Sequence, residues 1–239
     1  MLSESPFKRF LKKGKYILEG RILKKPEATI TKKWFGNTYG GFFVHTEELN
    51  ANSIVYSVGI GTDISFDLDI INAFQCDVYG FDPTPKSVHW VKENVKNKKF
   101  KMFDFGISDV TATKRFFLPK NKNFVSGSIE PIKTIDQNES LLLDFKSIEN
   151  ILAENNHKRI DLLKMDIEGA EYDVLKSILS KGIDIRQIVV EFHPHLLNKG
   201  RSKTRAILKQ LHNDGYVCFG VSDSYLEYSF IKRKPQRLQ

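Results

Sequence analysis

The run Ile54-Val55-Tyr56-Ser57-Val58-Gly59-Ile60-Gly61-Thr62-Asp63, followed by Val78-Tyr79-Gly80-Phe81-Asp82, constrains the fold of this chain more than any other stretch. A β-branched, apolar strand runs into Gly-x-Gly, and a carboxylate ends the next strand 21 residues beyond Gly61. Open α/β sheets hold an adenosine ribose with this layout. Gly59 and Gly61 let the backbone turn sharply and approach a ligand, and the amides opening the following helix point at a carboxylate or phosphate. The turn lacks the third glycine of the dinucleotide fingerprint.

From Ile54 onward, strand and helix periods alternate. A helix is expected from about Ile64, with Phe66, Ile70 and Phe74 on one face, then strand Val78–Phe81, then a helix opened by Pro85 with Val88, Val91 and Val95. This is a βαβα unit and predicts a parallel sheet. Phe100–Phe103 reads as a third strand. Residues 114–119 read as an extra edge strand in a long polar connection reaching about Asp144, the natural place for substrate-facing loops. A helix over Ile148, Ile151 and Leu152 precedes strand Ile160–Met165, and a helix with Val174, Leu175, Ile178 and Leu179 precedes a strand over 187–192. After a helix with Ile207, Leu208 and Leu211, the strands Tyr216–Val221 and 226–231 are joined tightly through Ser222-Asp223-Ser224, so one strand of the sheet must run antiparallel.

Charge divides the chain differently. Residues 1–33 hold ten Lys or Arg against three Glu, and residues 232–239 add four more, so the net charge of +8 belongs to the ends. We therefore separate a basic N-terminal extension, residues 1–50, from a ligand-binding domain, residues 51–239. In the extension, Phe7, Phe10, Leu11, Ile17 and Leu18 recur at helical spacing among lysines, as in an amphipathic helix that docks on the domain or lies on an anionic surface. The aromatic, glycine-rich segment 33–44 is too apolar for a linker and is expected near the site. No apolar run approaches the roughly 20 residues needed to cross a bilayer, and Lys12, Lys13 and Lys15 interrupt any leader-like segment. Cys76 and Cys218 lack metal-binding spacing and read as reduced core thiols, so a cytoplasmic location is expected.

The closing hairpin is unusual for dinucleotide-binding dehydrogenases. Together with the segments 57–63, Gly80-Phe81-Asp82-Pro83, Gly106-Ile107-Ser108-Asp109, Lys164-Met165-Asp166-Ile167-Glu168-Gly169-Ala170-Glu171 and Val190-Glu191-Phe192-His193, it resembles the FkbM-type methyltransferases over roughly residues 36–231. The most specific element is Asp-x-Glu-Gly-Ala-Glu after a strand. The resemblance implies a Rossmann-like class I methyltransferase fold, with a seven-stranded, mostly parallel sheet and one antiparallel strand from the C-terminal hairpin. It also implies S-adenosylmethionine as cofactor and a sugar, glycan or other small hydroxylated molecule as acceptor.

On that reading Gly59, Ile60, Gly61, Thr62 and Asp63 contact the cofactor. Asp63 repels a pyrophosphate but attracts an ammonium group, and it also suits a helix N-cap. Methyltransferases of this kind often carry an acidic residue where Ser57 stands, so Asp63 becomes the substitute. Asp82, before Pro83, is expected to accept both ribose hydroxyls or, alternatively, to cap the next helix. Asp104 or the backbone at Gly106, Ile107 and Ser108 would meet the adenine edge. Asp166 belongs at the crevice edge with Glu168, and strand alternation puts Glu191 and His193 on one side. His193 has the intrinsic pKa of a general base, oriented by Asp166 or Glu191. Alternatively, Asp166, Glu191 and His193 hold a divalent ion. His195 reads equally as a surface histidine.

Three other functions compete. A nucleotide-dependent oxidoreductase is favoured by Gly-x-Gly and Asp82 but opposed by Asp63 and the hairpin. A nucleic-acid methyltransferase is suggested by the basic ends with Trp34, Phe35 and Tyr39, yet no Asn-Pro-Pro-Tyr-like or catalytic Cys motif is present. A non-catalytic adaptor on the same fold is the third.

Overall fold

Strand β3 (Val55–Val58) is buried at every residue because it lies mid-sheet with layers on both faces. The computed structural model describes residues 6–121 and 125–234 of the chain. Helix α1 (Pro6–Leu18) precedes a short hairpin of β1 (Lys33–Phe35) and β2 (Phe42–Val44). After β3 come α2 (Ser65–Phe74), β4 (Val78–Phe81), α3 (Pro85–Asn94) and β5 (Phe100–Phe103). Next are β6 (Gly106–Ile107), β7 (Ala112–Pro119), β8 (Ile135–Lys146), α4 (Ile148–Glu154) and β9 (Ile160–Met165). The chain continues with α5 (Glu171–Ser180), β10 (Ile185–Glu191), α6 (Gly200–Asn213), β11 (Tyr216–Val221) and β12 (Glu227–Lys232).

Seven strands form the main sheet in the order β11-β12-β10-β9-β3-β4-β5. β12 is antiparallel to both neighbours, and the other neighbouring pairs are parallel. This is the expected Rossmann-like class I methyltransferase sheet, with its antiparallel strand supplied by the C-terminal hairpin. The strand order reverses between β3 and β9, so their carboxyl ends open the crevice in which such sheets bind ligands.

The two faces bury different layers. Tyr56, Val58, Leu163, Met165 and Val190 pack with α4, α5 and α6 on one side. Val55, Leu162 and Val189 pack with α2 and with Phe35, Phe42 and Val44 of the hairpin on the other. The hairpin stands where a helix would otherwise cover β10 to β12. Gln187, fully buried, accepts from the His45 amide and donates to the His45 carbonyl, both at 3.0 Å, which satisfies polar groups that burial would otherwise orphan. The hairpin thus brings Tyr39 and Gly40 to the crevice. Cys76 and Cys218 are free and buried, as expected.

Two sequence expectations need correcting. The connection to Asp144 is not an open loop, because the 12-residue strand β8 begins within it and pairs with β7 and β6 in a second, three-stranded sheet. Its polar first half, Asp136 to Ser140, conceals the apolar period of its second half, and Leu142 faces solvent. Strand ends also shift: β10 begins at Ile185 and β12 ends at Lys232. α1 forms as expected, with Phe10, Leu11 and Leu18 exposed. The Phe7 side chain and Arg237 lie outside what the structure describes.

Candidate active site

Backbone geometry dictates the glycine turn. Gly59 has φ +80°, and a Cβ there would lie 1.7 Å from the Asp166 carbonyl oxygen, so no other residue fits. Gly61, at φ +58°, needs glycine for its conformation alone, since the nearest atom to a Cβ would be 3.5 Å away. The amides of Ile60 and Gly61 donate to Asp82 Oδ2 at 3.0 and 2.9 Å, and the Thr84 amide donates to Oδ1 at 2.8 Å. Asp82 therefore fastens the turn to the end of β4. A carboxylate accepts about four hydrogen bonds. With three taken, about one acceptor position of Asp82 remains for a ligand hydroxyl.

A cavity of about 270 Å³ opens above this turn, near the lower end of the roughly 300–1,000 Å³ range of small-molecule sites. Phe81, Pro83, Ile107, Phe116 and Phe145 make one end apolar, while Asp63, Asp67, Lys164, Asp166 and Glu168 supply charge. Thr62 also lines it, and Val125 to Ile129 close one side. Asp104 and Ser108 are absent from the wall. Asp104 is exposed, and Ser108 is buried with its amide bonded to the Lys146 carbonyl and its hydroxyl to the Val110 carbonyl. Asp63 accepts from the Ser65 amide at 2.8 Å and from the Asn37 side chain, so both its oxygens serve the α2 entrance and the hairpin loop.

Behind the Asp166 edge, four carboxylates surround one imidazole. His193 Nε2 lies 3.6 Å from Asp166, 3.6 Å from Glu191 and 3.8 Å from Glu168, and Nδ1 lies 3.4 Å from Glu171. Glu171, fully buried, accepts from the Gly169 and His193 amides at 2.7 and 2.9 Å. Burial alone would lower the His193 pKa, but Glu171, Glu191 and Glu168 outweigh it and hold it well above the usual value. Burial and the Asp166 charge push Glu191 up against the pull of His193. Glu168 is likewise raised by burial, and it sits at φ +48°, in the left-handed region that non-glycine residues rarely adopt.

The four expected catalytic residues therefore do converge, but in a different order. Asp166 and Glu168 reach the cavity, whereas His193 and Glu191 stand behind them. An imidazole that Glu171, Glu191 and Glu168 hold protonated more firmly than a free one suits a positioning role better than that of the expected general base. Asp166, Glu191 and His193 each bring one atom within 4.8 Å of the others, a spacing that could hold a divalent ion in competition with the imidazole proton. His195 is exposed, as its surface reading expects.

Sequence reasoning missed Asp67 and Lys164. Asp67 shares the buried face of α2 with Ile70 and Ile71, three and four residues on, so the helical period already marked it as an acid facing the core. Lys164 interrupts a strand buried at every residue, and a lysine there is rare without a partner. Phe145 escaped because β8 itself did, and Phe116 because nothing in its edge strand marked it as facing the cavity.

The Methyltransferase FkbM domain profile matches residues 58–218. "Methyltransferase 1" of Beauveria bassiana is 28% identical over 137 residues, covering 49% of this chain and 55% of that protein. The human "Probable methyltransferase-like protein 24" is 26% identical over 149 residues, covering 61% of this chain and 34% of its own length. The chain thus spans about half, or less, of the curated relatives it matches. The solved FkbM methyltransferase of Methylobacillus flagellatus KT superposes with a TM-score of 0.47 at 12% identity, covering 77% of this chain and 44% of that one.

Proposed function

The chain belongs to the FkbM-domain methyltransferase family, and on that premise we propose that it transfers a methyl group from S-adenosylmethionine to a hydroxyl of a sugar, glycan or other small acceptor. The observation that carries this reading is a single continuous cavity. It joins the glycine turn and Asp82, suited to an adenosine, to the carboxylates of Asp166 and Glu168, suited to removing a hydroxyl proton. The residues fit the cofactor: Phe81, Ile107, Phe116 and Phe145 offer apolar surface for a purine, and the buried charges of Asp67 and Lys164 share the same cavity wall.

When bound, S-adenosylmethionine supplies an electrophilic methyl group on a cationic sulfur. The chain's part is to align the acceptor and take its proton. Glu168 suits the proton transfer best, because it lines the cavity and its raised pKa brings it nearer the working pH. His193 acts through others: its positive charge holds Asp166, Glu168 and Glu191 together against their mutual repulsion. Tyr39, 86% exposed at the cavity rim, presents an aromatic face on which a sugar ring can stack. The test is transfer of labelled methyl groups to a panel of hydroxylated acceptors. Label in an acceptor ether supports the reading, and label confined to nucleic-acid bases overturns it.

We further propose that α1 rests on an anionic membrane face. Phe10, Leu11, Ile17 and Leu18 are exposed beside Lys12, Lys13 and Lys15, an arrangement that combines apolar insertion with electrostatic attraction. Two buried free thiols favour a reducing compartment such as the cytoplasm.

A further inference from the structure

We infer that Asp67 and Lys164 form the subsite for the amino-acid end of the cofactor, Asp67 receiving its ammonium group and Lys164 its carboxylate, in place of the acidic residue that β3 lacks at Ser57. This rests on the reading of the cavity as an S-adenosylmethionine site.

Three buried polar side chains meet beneath the glycine turn. Ser57 and Lys164 are register partners on β3 and β9, and alternation turns both toward α2, which presents Asp67. Exposure is 0% for Ser57, 2% for Asp67 and 6% for Lys164, and Asp67 and Lys164 both line the cavity beside Gly59. Among the described residues, Asp67 Oδ1 and Ser57 Oγ have no hydrogen-bond partner. Ser57 lies near enough to favour the ionised form of Asp67 without reaching hydrogen-bond geometry. Lys164 donates to the Gly59 carbonyl, one use among three ammonium donors.

A buried acid and a buried base of purely structural purpose would close into an ion pair, because leaving either uncompensated is costly. Among the described residues these two do not: Lys164 forms no contact within 4.0 Å of any carboxylate, Asp67 included, although its charge is felt at Asp67. Opposite charges held apart on the wall of one cavity are complementary to a zwitterion, whose ammonium and carboxylate would satisfy both at once. Asp63 is a poorer partner for the ammonium, being exposed and already bound through both oxygens. Asp67 thus reaches from the helix to the place that an acid at position 57 would serve from the strand.

The experiment compares two probes by titration calorimetry: S-adenosylhomocysteine, which carries the amino-acid end, and 5′-methylthioadenosine, which lacks it. Wild-type protein should bind the first more tightly. Asp67→Asn and Lys164→Met should each weaken S-adenosylhomocysteine by about tenfold or more and leave 5′-methylthioadenosine unchanged, which also certifies that the variants are folded. Loss of both probes to the same extent, or of neither, overturns the assignment of these two residues while the cofactor reading stands. Failure of wild-type protein to bind either probe overturns the cofactor reading and this subsite with it.

Discussion

Gly59 touches the Asp166 carbonyl so closely that a single added carbon would sit 1.7 Å from that oxygen. The cofactor turn after β3 and the acidic edge after β9 are therefore one packed unit. The Asp166 amide completes it by donating to the Val58 carbonyl at 3.0 Å. Gly59→Ala should lose about 3 kcal/mol or more of stability. Gly61→Ala, which meets only the left-handed conformational cost, should lose about 1 kcal/mol. Urea unfolding of the two variants gives the comparison directly.

Glu168→Gln should lower kcat by about 10²- to 10⁴-fold, the usual contribution of a general base, with the affinity for S-adenosylhomocysteine retained. The wild-type rate should climb with pH through the raised pKa of Glu168, since only the ionised carboxylate can accept the proton. A flat pH profile of kcat would assign the proton to another acceptor.

His193→Ala leaves Asp166, Glu168, Glu171 and Glu191 facing one another without a cation and should destabilise the protein by about 3–5 kcal/mol. The sign with pH follows from the raised pKa. The imidazolium's contribution is complete below the unfolded value near 6.5 and disappears as pH rises through the higher folded value. Thermal melts of wild type and variant should therefore converge at alkaline pH.

Asp67 is held up at about 6 by burial, against an ordinary value of 3.8. A carboxylate with a raised folded pKa costs stability once ionised: the penalty grows as pH rises from about 4 to about 6 and is complete above that. The difference corresponds to about 3 kcal/mol at neutral pH. Asp67→Asn should accordingly raise the melting temperature of the ligand-free protein at pH 7.5, and the gain should vanish below pH 4.

The exposed face of α1 should bring the protein down with vesicles containing phosphatidylserine but not with neutral ones, and the effect should fade with salt as the lysines are screened. Replacing Leu11 and Leu18 with Asp should abolish sedimentation. Equal binding to neutral vesicles would remove the electrostatic half of the proposal.

Periodic burial made the seven-stranded sheet readable. Val55, Ile160 and their neighbours form short apolar runs bounded by turn residues, and these runs are strands. β8 was not readable because its partners lie outside the main core and its first half is polar. At the site, Gly59, Asp82, Asp166 and His193 could be located from their positions at strand ends. Their protonation and order of approach could not, because these depend on Glu171 and Glu168 closing around the imidazole from another turn. Asp67 carried a legible signal, its place on the buried stripe of α2, but its meaning required Lys164 and Ser57 beside it.

The most direct test is a crystal structure with S-adenosylhomocysteine. The adenosine should lie against Asp82 and the apolar end of the cavity, with the sulfur turned toward Asp166 and Glu168 and the homocysteine tail over Asp67 and Lys164. A ligand bound outside this cavity, or with its adenosine at the Glu168 end, would contradict this placement.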